Sequence, residues 1–116
     1  MPVRRKNFAV GIGESLDFQA RYVARDDNDP SILTGISLNN YSTSFLVYKD
    51  IYDLLILTEG SGVLVNHEDG EISVFATPQQ IENIGVGTVD YKLFLTANYD
   101  PNEVDEIMAG KIQVFS

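Results

Sequence analysis

Residues 7–22 read NFAVGIGESLDFQARY, and their apolar side chains recur at every second position on both sides of a glycine-containing turn. Phe8, Val10 and Ile12 alternate with small or polar residues, and the alternation resumes at Leu16. Strict alternation is typical of half-buried β-strands, because successive side chains of a strand point to opposite faces. The stretch therefore predicts two strands joined by a tight turn.

The rest of the chain continues in short segments of the same kind. Further strands are predicted at about residues 43–49, 54–58, 63–66, 71–77, 88–97 and 107–115. Gly70 is expected to have a positive φ in a hairpin turn, and one helical turn is predicted at residues 77–83, with Thr77 as its cap and Pro78 at its first position. Frequent turn signals without a long helix predict an all-β fold, a single antiparallel β-sandwich with one short helical turn.

The length of 116 residues predicts one domain, and the composition excludes several kinds of site. The chain has no cysteine, which excludes disulfides, thiolate zinc sites and cysteine nucleophiles. His67 is the only histidine, so one chain cannot build a multi-histidine metal site. We expect His67 to be exposed and inert, and to act as a pH sensor only at an interface.

The charge is strongly acidic and unevenly distributed. Eight basic and 17 acidic residues give a net charge of −9, which disfavours binding to nucleic acid or to an anionic membrane. Arg4, Arg5 and Lys6 supply three of the basic residues, and residues 7–116 alone carry a net charge of −12. This predicts a basic N-terminal arm at residues 1–7 and a domain at residues 8–116. No signal peptide or membrane span is predicted, because no apolar run of sufficient length occurs.

The sequence offers weak candidates for metal or cofactor chemistry. Oxygen-bearing side chains crowd residues 26–29 and 100–106, but neither stretch fits the EF-hand register, and solvated acidic loops are expected there, with an irregular calcium site left open. Gly11 and Gly13 lack the third glycine of a dinucleotide-binding loop. We therefore predict no enzymatic activity, no metal and no cofactor.

Three strands are apolar on both faces, at residues 45–48, 54–57 and 93–95. Such strands either lie at the centre of a sheet with scattered surface apolar residues, or have an outer face that another polypeptide covers. The second interpretation gives a candidate interface that combines these strands with the basic arm. Its members are Arg4, Arg5, Lys6, Phe45, Tyr48, Leu55, Leu57 and Phe94.

Several short motifs occur in a characteristic order along residues 8–115. They are the turn Gly13-Glu14, the triplet Leu33-Thr34-Gly35, the strand at 62–65, the spacing of Thr77, Gln80 and Ile84, the strand containing Tyr91, and the strand at 109–114. This order resembles the immunoglobulin-like structural module of tailed bacteriophages, the kind found at the N terminus of the baseplate upper protein. The resemblance implies that the sandwich is immunoglobulin-like.

The resemblance also implies a function. It indicates a non-enzymatic structural protein of a virion, made in the bacterial host cytoplasm, which docks onto other particle proteins and is present as a homo-oligomer or in several copies. Tail, baseplate, neck and capsid surface all remain open. The structural signature comprises Leu33, Thr34, Gly35, Tyr91 and Gly110. Tyr91 stands where immunoglobulin-like folds place a tyrosine whose hydroxyl bonds to the backbone, and Gly35 and Gly110 are expected to permit turns or bulges.

A small carbohydrate-binding or host-adhesion sandwich is the alternative function. Exposed aromatic side chains would then stack on sugar rings, and the candidates are Tyr41, Tyr48, Tyr52 and Tyr99. The absence of tryptophan and of a signal peptide disfavours this alternative.

Overall fold

The computed structural model describes residues 4–25, 28, 33–35 and 37–116, with side chains described for residues 4–22, 28 and 37–116. A short helix, α1 (Pro78–Ile84), lies between the ninth and tenth strands. The strands in chain order are β1 (Arg4–Arg5), β2 (Phe8–Gly11), β3 (Leu16–Arg21), β4 (Val23–Arg25), β5 (Leu33–Gly35), β6 (Tyr41–Lys49), β7 (Tyr52–Glu59), β8 (Gly62–Asn66), β9 (Glu71–Ala76), β10 (Gly87–Ala97) and β11 (Asp100–Phe115).

Nine of these strands form one continuous sheet in the order β1-β11-β10-β6-β7-β8-β9-β3, with β2 also paired to β11. Strands β1 and β2 run parallel to β11, and β7 runs parallel to β8, whereas the other pairs in this sheet are antiparallel. The sheet is mixed and curls strongly into a half-barrel. The remaining described pair, β4 and β5, is a separate two-stranded ribbon.

The prediction of a two-sheet antiparallel immunoglobulin-like sandwich is therefore wrong. The reason lies at the bend between β7 and β8, where Gly60 and Gly62 have φ values of 81° and 97°. Gly60 N–H donates to the Val63 carbonyl at 2.9 Å, and Ser61 N–H donates to the Thr58 carbonyl at 2.9 Å. The hydrogen-bonded ladder thus continues around the bend and joins the strands into one sheet. Alternation in a sequence indicates which face of a strand each side chain lies on, but it does not indicate which strands pair with each other, so the sequence could not predict this.

The hydrophobic core fills the inside of the curl. The ring of Phe8 on β2 stacks on that of Phe18 on β3, with centroids 4.7 Å apart, so the two edges of the sheet meet through aromatic side chains. Phe18 contacts Phe45 at 5.6 Å between centroids, and Phe45 contacts Tyr91 at the same distance. Burying a side chain of this size fully contributes about 1.5–3 kcal/mol to the stability of the fold, so this cluster stabilises the curled sheet.

The helical and hairpin predictions are confirmed. Helix α1 begins after Thr77, whose hydroxyl accepts from the Gln80 amide while the Gln80 side chain accepts from the Thr77 amide, and Ile81 is buried in the core. Gly70 has a φ of 70° in the turn between β8 and β9.

The predicted acidic loop before the last strand is only partly correct. β11 begins at Asp100 and pairs with β10 from there to Val114, so most of that acidic stretch is strand. The predicted loop at residues 26–30 lies outside the described residues except for Asn28.

Candidate interaction surface

The outer surface of the sheet is built by alternation in its central strands. On β6, Phe45 and Val47 point into the core, so Leu46 and Tyr48 point outward. Leu46 pairs with Ile56 on β7 and with Lys92 on β10. Because paired residues share a face, a row of side chains crosses all three strands. We define the outer face as the set Leu46, Tyr48, Leu54, Ile56, Lys92 and Phe94.

The apolar members of the outer face are partly open to solvent. Ile56 is 60% exposed and Leu54 is 37% exposed, and the other apolar members are half-buried. A bulge at Val47/Tyr48 leaves Leu54 as an extra residue between the pairs on β7. Side chains on adjacent strands stand roughly 5 Å apart, so these residues form a contiguous apolar patch.

Lys92 lies within this patch and has an aromatic environment. Its Nζ is 5.8 Å from the ring centroid of Tyr48 and 5.5 Å from that of Phe94. In the part of the chain that the structure describes, the only ion pairs are His67–Glu59 and Lys111–Asp90, so Lys92 has no carboxylate partner. Its charge is held over two ring faces instead, which is a favourable cation–π arrangement.

Charged side chains of both signs surround the patch. Lys111 Nζ lies 2.8 Å from Asp90 Oδ1, and this hydrogen bond and the carboxylate charge raise the pKa of Lys111. A polar cavity of about 460 Å³ lies beside it, with Arg5, Tyr48 and Glu106 in its lining. The outer face thus has an apolar centre and a polar rim, which is the usual anatomy of a protein interface.

The basic stretch is part of the sheet. Arg4 and Arg5 form β1 and pair in parallel with Met108 and Ala109, and all three basic side chains are exposed. The Lys6 amide donates to the Ala109 carbonyl at 3.1 Å. Residues 4–6 therefore present their charges from a fixed backbone.

Tyr91 and Gly110 explain how this strand is held. The Tyr91 hydroxyl donates to the Lys6 carbonyl at 2.5 Å, which confirms the predicted bond from this tyrosine to the backbone. Burial raises the pKa of Tyr91 to about 12. A Cβ at Gly110 would overlap the Lys6 carbonyl oxygen, so glycine is required there by close approach of the two strands.

The structure separates the predicted interface residues into two groups. Tyr48 and Phe94 lie on the outer face, and the three basic residues of the N-terminal stretch are exposed. Phe45 and Leu57 are 0% and 2% exposed and belong to the core, and Leu55 packs against that core, so these three residues are not available to a partner. Leu33, Thr34 and Gly35 form β5, and their side chains lie outside the described part of the chain.

Sequence reasoning missed Leu46, Leu54 and Ile56 as outer-face residues. The stretches at 45–48 and 54–57 are apolar at every position, so the sequence does not show which of their side chains face the core and which face outward. Only the register with β10, where polar and apolar residues alternate from Asp90 to Leu93, assigns the faces.

His67 is bonded at both ring nitrogens, contrary to the expectation that it is inert. Nδ1 lies 2.8 Å from the Leu38 carbonyl oxygen, and Nε2 lies 2.9 Å from Glu59 Oε2. Both partners are acceptors, so the doubly protonated ring fits best. The Leu38 carbonyl, and then Glu59, raise the pKa of His67. This histidine links the β8–β9 turn to the segment before β6 and to the end of β7.

The acidic stretches show no metal site where they are described. Among the described residues, no group of three or more histidine or acidic side chains could hold a metal ion. Asp105 accepts from the Tyr22 hydroxyl at 3.0 Å and Glu103 accepts from the Tyr99 hydroxyl at 2.7 Å. The other candidate calcium stretch, Asp26, Asp27 and Asp29, lies outside the described residues. No helix in the described part of the chain is long and apolar enough to span a membrane.

A second apolar surface lies at the bend between β7 and β8. Leu64 is 75% exposed and Phe75 is 45% exposed, and both line an open cavity of about 520 Å³ with Gly60 and Gly62. This surface has fewer large apolar side chains than the outer face, and no charged side chain lines the cavity. It therefore provides a matched comparison site for mutagenesis.

Comparison with known proteins gives no relative from which a function could be transferred. No protein-family model matches the chain, and no curated protein is similar to it.

Proposed function

We propose that the chain is a non-enzymatic structural protein of a tailed-phage particle that docks onto other polypeptides through the outer face. The main observation in support of the docking function is the contiguous apolar patch around Lys92, in which Ile56 and Leu54 are exposed to solvent. The order of sequence motifs supports the particle assignment.

The outer face has what a docking surface needs energetically. Burying exposed aliphatic area contributes about 25 cal/mol per Å², and Ile56 has most of its side chain still to bury. Aromatic side chains such as Tyr48 and Phe94 commonly dominate binding energy at the centre of an interface. The charged rim, including Asp90 and Lys111, can shield that centre from water.

The basic strand β1 supports docking onto an acidic neighbour. Arg4 and Arg5 have no ion-pair partner among the described residues, although the chain carries 17 acidic side chains. Their backbone is already ordered by pairing with β11 and by the Tyr91 bond to Lys6. Binding through them therefore costs less conformational entropy than binding through a disordered arm.

The carbohydrate-binding alternative is less well supported. Tyr41 packs against the core, whereas Tyr48 lies on the outer face seven positions further along β6, roughly 23 Å away at 3.3 Å per residue. Tyr52 and Tyr99 are well exposed but belong to opposite ends of the sheet, because Tyr52 pairs with Lys49 and Tyr99 follows the Ala97–Tyr41 pair. The four tyrosines do not form one stacking platform.

The test is quantitative mass spectrometry of purified particles from infected or induced cells. The proposal predicts that the chain co-purifies with the particles at a fixed copy number per major structural protein. Its absence from particles, together with abundant free protein in the lysate, would overturn the particle assignment. Binding of the isolated chain on a glycan array would instead favour the carbohydrate-binding alternative.

A further inference from the structure

We infer that the partner on the outer face is a second copy of this chain, packed face to face about a two-fold axis. The inference rests on the proposed docking function and identifies its occupant. A two-fold interface uses the same surface patch from both subunits, so the patch must complement itself in charge and in shape.

The distribution of charge favours this surface for self-association. The strand registers place six charged side chains on or around the outer face, and these are Arg5, Lys92, Lys111, Asp53, Asp90 and Glu106. Three of the six are basic and three are acidic, so this surface is neutral. The whole net charge of −9 then falls on the rest of the chain. Two copies repel each other through their acidic surfaces, whereas on the outer face the basic side chains of one copy can offset the carboxylates of the other.

Lys92 provides the specific complementarity. It lies on β10 without a carboxylate partner among the described residues, whereas Asp53 lies two strands away on β7 and Glu106 one strand away on β11. Neighbouring strands are about 4.8 Å apart and a strand rises about 3.3 Å per residue. Both acidic residues are offset by two positions from the row that contains Lys92, so they lie roughly 8–12 Å to either side of it. A two-fold axis that passes midway between Lys92 and one of these carboxylates places the carboxylate of one copy opposite Lys92 of the other, and the reverse, so that two equivalent ion pairs form.

The apolar centre provides the burial. Two sheets that pack face to face lie about 10 Å apart with their side chains interdigitated. Such packing would cover Ile56 and Leu54 and complete the desolvation of Leu46. The strands that are apolar on both faces would then lie between two layers, one within the chain and one formed with the second copy.

The primary experiment is sedimentation velocity of the full chain over a concentration series. We expect reversible dimerisation, with Ile56→Glu raising the dissociation constant at least about tenfold and Leu64→Glu changing it less than about twofold. Both changes place one carboxylate on an exposed aliphatic position of a strand, so they differ only in location. A wild-type chain that stays monomeric to roughly 1 mM, or a dimer that Leu64→Glu dissociates and Ile56→Glu does not, would overturn the inference.

A second measurement locates the interface without disturbing it. The chain has no cysteine, so Thr58→Cys gives a single attachment site for a spin label at the edge of the outer face. We expect a defined label-to-label distance in the dimer, and a longer distance when the label is at Leu64→Cys. A shorter distance at position 64 would contradict the inference.

The two proposals fail separately. If the chain is monomeric in solution but Ile56→Glu removes it from particles, the proposed docking function stands and the self-association is wrong. The partner on the outer face is then another particle protein. A chain that dimerises through this face but is absent from particles retains the self-association and loses the particle assignment.

Discussion

The hydroxyl of Tyr91 on β10 donates a hydrogen bond to the main-chain carbonyl of Lys6, 85 positions earlier in the chain. This bond fastens the N-terminal basic stretch across β11 to the middle of the sheet. Because the Tyr91 ring also contacts Phe8 and Phe45, one residue connects the aromatic core to the strand that carries Arg4 and Arg5.

Replacing Tyr91 by phenylalanine is predicted to destabilise the fold. The change keeps the ring but leaves the partly buried Lys6 carbonyl without its donor, which costs about 1–3 kcal/mol in the free energy of unfolding. Chemical denaturation followed by circular dichroism measures this. Tyr48→Phe is the matched control, because the Tyr48 hydroxyl has no hydrogen bond among the described contacts, and it should change stability by less than about 0.5 kcal/mol. Equal effects of the two changes would contradict the assigned role.

His67 is predicted to make stability depend on pH near neutrality. Its pKa is raised in the folded chain above the ordinary value of 6.5, so its stabilising contribution is complete below that unfolded value and is lost as the pH rises through the folded pKa. Nuclear magnetic resonance should give a ring pKa above 6.5. The wild-type chain should lose stability relative to His67→Gln as the pH rises above 6.5 and through the folded pKa. A ring pKa at or below 6.5 would show that the bonds to Leu38 and Glu59 do not hold the charged form.

The N-terminal cap of helix α1 is predicted to contribute measurably to the free energy of unfolding. Thr77→Ala removes the hydroxyl that accepts from the Gln80 amide and should lower the free energy of unfolding by about 1 kcal/mol. Gln79→Ala removes only an exposed side-chain contact to Asn83 and serves as the control. Thermal unfolding of the two variants distinguishes them, and an unchanged Thr77→Ala variant would mean that the cap contributes nothing.

Changing Arg4, Arg5 and Lys6 together to alanine is predicted to reduce incorporation into particles without unfolding the chain. The backbone bonds of Lys6 and the pairing of β1 with β11 do not require these side chains. The defect should be largest at low salt, where the lost attraction to an acidic neighbour is least screened. Incorporation that is unchanged at both low and high salt would show that the basic strand does not contact a partner.

The sequence predicted local structure better than it predicted architecture. The capping box at Thr77 and the glycine at position 70 depend on side chains close in sequence, and both are confirmed. A second reason for the failure of the sandwich prediction is that the pairing of β1 and β2 with β11 spans about a hundred positions, and no local pattern encodes it. The pairing of β7 with β8 could not be predicted either, because glycines indicate a turn but do not indicate whether the sheet continues through that turn.

The candidate site was predictable in kind but not in its members. Strands apolar on both faces left two interpretations open, and the structure shows partly exposed apolar side chains on one face of them, while the predicted role of this face and of the basic triplet as an interface stays a prediction. Phe45 and Leu57 could not be separated from Leu46 and Ile56, because every position in those stretches is apolar and the register alone decides which side chain faces outward.

The most direct test of the docking function is a competition between wild-type and variant chains for places in the same particle. Wild-type and Ile56→Glu chains, distinguished by mass, are co-expressed in equal amounts during particle assembly, and their ratio in purified particles is measured by mass spectrometry. We expect Ile56→Glu to be depleted at least about tenfold, whereas Leu64→Glu in the parallel experiment should be incorporated as well as wild type. Equal incorporation of Ile56→Glu and wild type would contradict the claim that the outer face is the docking surface.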